Sequence, residues 1–401
     1  MPVRGLSRFD ALAVTALVWF LGKFLRYAFP PLFGTLGETY GVSRTALGTA
    51  FTGFMVVYAA MQFPSGALAD RVGGVRVIAT GGAITGLGAL ALVVDSPFAV
   101  LAGAMVLMGA GSGTTKTVAV DLLSRVYPAR TGRALGVFDT VGALAGAAAP
   151  AAVVVASGAP ALFGAPWRSL FLVGGATTFA VTAAFAWRVP RRLPDGPVTA
   201  AADRTGDGSL RAYAALFRRP RFSAFVGVTV LFSFSYSGAV AFLPLYLVAE
   251  TTLSAVTANL LFSALFLVSL VQLVTGEASD RVGALPVLAL ALAVATGGLV
   301  AVLAFSATGG PLVLGGAVVA LGLGAHGYRP VRGAYLMAVL PDSVAGGGLG
   351  VVRTLLMTAG AVSPALVGYL SETAGFAPAF WLLAVAMGAA AALTLVLWVM
   401  E

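Results

Sequence analysis

The 401-residue chain has no cysteine, one histidine, and Asp, Glu, Lys and Arg together at only 10%. Without cysteine there is no disulfide framework and no thiol chemistry. A soluble domain carries about 25% charged and about 45–50% apolar residues, whereas 59% are hydrophobic here. Such an excess cannot be hidden in one water-soluble core, because chains beyond about 250–300 residues split into domains with polar exteriors. Lipid is therefore the main solvent. That excludes a soluble enzyme, a nucleic-acid binder and a disulfide scaffold. Alternating short strands are also missing, so a β-barrel is excluded. No Walker loop, metal-ligand cluster or nucleophile–base arrangement is visible, and Gly109-x-Gly111-x-Gly113 lies inside an apolar run, where no nucleotide loop would sit. The expectation is no cofactor, no metal and no enzymatic activity.

Long apolar runs are what the chain has in abundance. A membrane helix needs about 20 apolar residues, so 59% of 401 residues would fill about twelve. Runs broken by Pro, Gly or charge fall near 10–33, 45–68, 74–94, 97–121, 133–156 and 167–188. Six more fall near 221–248, 254–276, 284–305, 311–338, 346–370 and 376–400. The expected fold is an all-α membrane protein of twelve helices in two bundles, 1–188 and 221–401. They are joined by a linker at 189–220, within which Ser209–Arg218 could lie as an amphipathic helix on the inner leaflet. Arg4 and Arg8 lead straight into a run too long for a signal-peptide core, so no cleavable signal is expected.

Net charge is +9, and its distribution orients the chain. With both termini in the cytoplasm, sixteen of the 24 basic residues face inward and only Arg44 and Arg168 face outward. That asymmetry satisfies the positive-inside rule and orients a multi-pass plasma-membrane protein; a monomer is expected. The remaining six cations fall within spans.

The halves repeat. Gly66-Ala-Leu-Ala-Asp70-Arg71-Val72-Gly73 returns 210 residues later as Gly276-Glu-Ala-Ser-Asp280-Arg281-Val282-Gly283. Gly109, Gly111, Lys116 and Pro128 match Gly322, Gly324, Arg329 and Pro341 at offset 213. At offset 214, Gly136, Asp139, Gly146 and Pro150 match Gly350, Arg353, Gly360 and Pro364. Two parallel six-span halves fit a transporter with a midplane site.

These features resemble the major facilitator superfamily over essentially the whole chain. The most specific piece is Gly66-x-x-x-Asp70-Arg71-x-Gly73-Gly74-x-Arg76, echoed at Gly276–Gly283. The resemblance implies alternating access, with this loop as a latch whose aspartate pairs with the other half. Asp70, Arg71, Asp280 and Arg281 are accordingly expected to act in conformational change and not as substrate ligands. Met105-Val-Leu-Met-Gly109 lacks the arginine usual in proton-coupled sugar and drug members, and Gly146 is followed by Ala147 where drug antiporters usually carry proline. Lys23-x-x-Arg26-Tyr27, Pro31-Leu32 and Tyr58-Ala-x-x-Gln62-x-Pro64-x-Gly66 look more like the organic-anion and organic-phosphate branches.

An ionised group near the bilayer centre costs at least about 2.5–3.5 kcal/mol, so it needs a polar cavity or a partner. Lys23, Arg26, Lys116, Arg329, Arg332 and Arg353 lie within spans, where Asp139 is the one clear carboxylate. Such a surplus calls for an anionic solute. Arg26 suits anchoring, because its planar fork holds a carboxylate or phosphate bidentately; Tyr27 adjoins it. Lys23 either assists or snorkels outward. Lys116, Arg329, Arg332, Asp139 and Arg353 sit deeper toward the inner side, as a gate centred on Asp139 or as substrate contacts. His326 could sense protons, since its ordinary pKa is near 6.5, or could stay neutral among the arginines. Hydroxyls at Ser233, Ser235, Tyr236 and Ser237, and at Thr114, Thr115 and Thr117, are weaker candidates, since Ser and Thr often bond to helix backbone.

The leading expectation is a proton-coupled importer of a small organic anion, with Asp139 as proton carrier. A proton-driven exporter of hydrophobic compounds, with the charges acting only as gates, is the alternative. A non-transporting sensor has no positive support.

Overall fold

The computed structural model describes residues 9–161, 163–193 and 216–401, without 341–344 and the side chains of 345–347. Nearly all described residues are helical. The first half comprises α1 (Asp10–Tyr27), α2 (Phe29–Tyr40), α3 (Arg44–Val72), α4 (Gly74–Ala91), α5 (Phe98–Gly113), α6 (Thr115–Val126), α7 (Thr131–Ser157) and α8 (Arg168–Arg188). The second comprises α9 (Pro220–Glu250), α10 (Ala255–Leu267), α11 (Val271–Val282), α12 (Ala284–Ala304), α13 (Pro311–Val339), α14 (Ala345–Thr373) and α15 (Phe376–Val399). Helix is the expected answer in lipid, because it satisfies every backbone polar group within one segment.

Helices α5 with α6, and α10 with α11, each form one span; α1 and α2 meet at a 42° bend. Counting that bent pair as one gives up to twelve spans, in the order read from the sequence. The first span is longer than expected. Instead of ending near residue 33, helix continues to Tyr40. Pro30 falls in the first turn of α2, where a missing N–H costs no intrahelical bond. Proline thus bends the span without ending it. Pro64, Pro150, Pro244, Pro330 and Pro364 lie inside long helices, as membrane helices tolerate.

The described chain falls into two compact units. One holds residues up to Val42 and from Thr49 through α8; the other holds Ser43–Gly48 and the helices from α9 onward. Most of the linker read at 189–220, and nearly all of the amphipathic segment within it, lies outside the described residues.

The sequence repeat is also a packing repeat. In the first unit α1 packs on α7 and α8, and α4 packs on α5 and α8. In the second, α9 packs on α14 and α15, and α12 packs on α13 and α15. Gly109 of α5 lies against the Phe54 backbone, and its repeat mate Gly322 of α13 lies against the Leu265 backbone. A Cβ at either would collide with main chain; small residues let membrane helices approach this closely. Gly73 and Gly283, which end the two repeated motifs, have φ of +91° and +92°, a region only glycine enters freely.

Candidate substrate-binding site

The first unit gathers three of the six in-span cations around aromatic rings. Trp19, Lys23 and Arg26 recur at helical spacing on α1, so they project from neighbouring positions on its surface. The Lys23 ammonium lies 5.4 Å from the centre of the Trp19 ring and 5.8 Å from that of Tyr27. Lys116, which follows the interruption at Thr114, approaches the same indole from α6, at 5.6 Å, and lies 5.0 Å from Phe138. Two ammoniums therefore share one indole. Trp19 and Phe138 stack with centroids 5.7 Å apart and planes 16° apart. A Cβ on Gly142, one turn beyond Phe138, would strike the indole of Trp19.

Arg26 lies among phenols. Its guanidinium donates to the Tyr27 hydroxyl at 3.1 Å and lies 4.7 Å from that ring and 5.1 Å from Tyr58 on α3. Lys116 is ion-paired with Asp139 of α7, whose side chain is 59% exposed. Cation–π contacts are worth about 0.5–2 kcal/mol each. They offset part of the roughly 2.5–3.5 kcal/mol cost of each in-span ion. Rings add no negative charge, however, and the cluster stays rich in cations around the Lys116–Asp139 pair.

The second unit builds a related cluster on α13. The Arg329 guanidinium lies 4.5 Å from the Tyr236 ring of α9, and Arg332 lies 5.9 Å from Tyr328. Phe232 packs against Tyr328 at 4.2 Å and stacks on Tyr236 at 5.7 Å. His326 is 1% exposed, with Tyr236 at 6.1 Å and Phe266 at 5.8 Å ring to ring. Arg353 of α14 is exposed. Lys116 and Arg329 are repeat mates, and each lies over an aromatic ring of its own unit.

The hydroxyl candidates mostly serve the scaffold. Ser233 donates to the Leu356 carbonyl at 2.6 Å, Ser235 to that of Leu383 at 2.7 Å, and Thr114 to that of Gly111 at 2.9 Å. Asp70 and Arg71 are exposed at the end of α3 and make no ion pair among the described residues. Asp280 is likewise exposed, while Arg281 pairs with Glu277 one turn back on α11. Among the described residues no His or carboxylate cluster could hold a metal ion.

Residues 14–313 and 225–401 match the sequence model of the Major Facilitator Superfamily. The chain belongs to that superfamily. It is a multi-pass membrane transporter and not an enzyme. The probable sulfoacetate transporter SauU of Cupriavidus necator (strain ATCC 17699 / DSM 428 / KCTC 22496 / NCIMB 10442 / H16 / Stanier 337) is 28% identical over 188 residues, 47% of this chain and 43% of that protein. The chain therefore matches less than half the length of this curated relative. A bacterial homolog of the human lysosomal transporter Spinster, solved inward-facing and occupied, shares 15% identity and a TM-score of 0.82, over 100% of this chain and 98% of that one. The peptide transporter POT in complex with sulfate shares 18% identity and a TM-score of 0.74, over 97% and 94%. At such identities the likeness concerns the fold alone.

Within this major facilitator protein, sequence reasoning had the cations but missed much of what surrounds them. Phe138 was not singled out, Tyr236 was noted only among the weaker hydroxyl candidates of its span, and Tyr58 only as part of a family pattern. Phe138 directly precedes Asp139, and Tyr236 lies one turn after Phe232. Such spacing marks a shared face without saying what it meets.

Proposed function

We propose that this transporter moves a small organic anion, of the carboxylate or sulfonate class, by alternating access coupled to protons. The observation that carries this reading is the first-unit cluster, where Lys23, Arg26 and Lys116 stand among Trp19, Tyr27, Tyr58 and Phe138 with Asp139 as the carboxylate in contact. An anion suits a pocket lined by three cations. The likeness to a protein named as a probable sulfoacetate transporter supports the substrate class.

In this reading Arg26 anchors the anion with its fork, while Tyr27 and Tyr58 hold the guanidinium in place. Lys23 adds charge from the next turn of α1. Lys116 is shared: when Asp139 is ionised it holds the ammonium, and when a proton neutralises Asp139 the ammonium is released toward the anion. Proton and anion then bind together, which is the logic of symport. Arg329 and Arg332, with Tyr236 and Tyr328 beside them, supply a second cationic group in the other unit. Arg353 and His326 belong to gating or proton handling, and Asp70, Arg71, Asp280 and Arg281 to the conformational change. The positive-inside count supports cytoplasmic termini.

The test is uptake of labelled monocarboxylates, dicarboxylates and sulfonates, sulfoacetate among them, into proteoliposomes under an imposed proton gradient. Gradient-dependent uptake of one anion, lost in Arg26→Ala, is expected. Undiminished uptake by Arg26→Ala would overturn the anchoring role. Efflux of hydrophobic cations with no anion transport would favour the exporter reading.

A further inference from the structure

A groove with a volume of about 510 Å³ runs along the first unit between α1 and α7, apart from the cluster around Trp19. Its walls are Leu12 and Leu17 of α1 and Val137 and Val141 of α7, with Arg130 and Arg133 at one end. Leu17 and Val137 are each 43% exposed, so the groove is open along its length. On α7, Val137 and Asp139 are two residues apart and thus about 160° apart around the helix axis, at roughly 3.6 residues per turn. The groove and the Lys116–Asp139 pair therefore occupy different faces of α7.

The charges sit only at the end where both helices begin. Phe9 stacks on Tyr127 there at 6.5 Å, and the Tyr127 hydroxyl accepts from the Leu12 N–H at 3.2 Å. Asp10, the acidic residue at this end of α1, is committed to Arg192 at 3.0 Å. Among the described residues no acidic side chain pairs with Arg130 or Arg133. From Phe9 to Leu17 the groove follows α1 for about 12 Å, and from Arg130 to Val141 it follows α7 for about 16 Å, at about 1.5 Å per residue. One leaflet of a hydrocarbon core about 30 Å thick is about 15 Å deep. The groove is as long as one acyl chain is deep, with two cations at one end.

We infer that this groove binds an anionic phospholipid of the leaflet at the arginine-bearing side, one acyl chain between α1 and α7 and the phosphate on Arg130 and Arg133. The volume falls in the ligand-sized range of about 300–1,000 Å³. Charge complementarity selects the headgroup, and the apolar walls select a lipid over a free anion. A zwitterionic lipid would fill the same walls but leave the two guanidiniums without a net counter-charge. This site does not depend on the identity of the transported solute.

The test is native mass spectrometry of the full-length protein in detergent, titrated with phosphatidylglycerol or phosphatidylcholine. Each variant is first checked for an unchanged helical circular dichroism spectrum. Wild type is expected to retain phosphatidylglycerol preferentially. Basic residues at an anionic surface contribute about fivefold each, so Arg130→Gln with Arg133→Gln should weaken retention about 25-fold. Arg219→Gln with Arg221→Gln removes the same charge elsewhere and should leave retention unchanged. Val137→Trp, which fills the groove and keeps both arginines, should lower retention of both lipids. Equal losses in the two arginine pairs would overturn the proposal, as would a Val137→Trp protein that binds like wild type. Displacement of the lipid by inorganic phosphate at matched concentration would also overturn it, by marking a free-anion site.

Discussion

Lys116 and Asp139 are ion-paired between α6 and α7, and the same ammonium lies 5.0 Å from the Phe138 ring, next to Asp139 in the chain. One cation is thus held by a group that can take up a proton and by a ring that cannot. The proposed coupling depends on that difference. Asp139→Asn leaves Lys116 its aromatic contacts but removes the titratable partner. Anion exchange across proteoliposomes should persist in this variant, while accumulation driven by a proton gradient should fall to the exchange background. Full proton-driven accumulation by the variant would rule out Asp139 as the carrier.

Arg26 is the residue whose loss should be felt most in binding. A hydrogen bond to a charged group is worth about 1.5–3 kcal/mol, which corresponds to roughly 10–150-fold in Kd. Arg26→Ala should weaken anion binding by that factor in a calorimetric titration. Arg26→Lys keeps the charge but loses the fork, and should fall between the two.

Gly142 tests the packing of the cluster. A methyl group there would meet the Trp19 indole, and overpacking costs about 1–3 kcal/mol. Gly142→Ala should lower the melting temperature and shift the fluorescence of the protein as Trp19 moves off Phe138. An unchanged melting curve and emission spectrum would contradict this placement of the indole.

Asp95 offers a contrast in which stability changes and binding does not. Arg168 has a 4% exposed side chain, paired with Asp95 and donating to the Phe163 carbonyl at 2.7 Å. Asp95→Asn leaves a nearly buried guanidinium without its carboxylate, at about 1–3 kcal/mol. Thermal stability should drop while the Kd for the anion stays at the wild-type value, since neither residue touches the Trp19 cluster.

Much of the architecture could be read before any coordinates. Runs of about 20 apolar residues have few alternatives in lipid, and the repeat that matches Gly109 with Gly322 returns as equivalent close contacts in the two halves. Gly73 and Gly283 stand at the same place in the repeated motif, and both adopt positive φ. The reading failed where a local signal had two outcomes. Pro30 and Pro31 could end a helix or bend one, and packing beyond Tyr27 carried the helix on to Tyr40.

The site was half legible for the same kind of reason. Charge within an apolar run is visible in one dimension, because the cost of burying it does not depend on the fold. Composition, span number, the repeat and the six in-span cations are therefore properties of the sequence alone. Which cation meets which partner is not. Lys116 and Asp139 lie 23 residues apart on separate helices, and only the packing of α1 on α6 and α7 brings Trp19, Phe138 and two ammoniums together. Helical periodicity gives the face from which a side chain leaves its own helix, while helix–helix packing determines what that face meets.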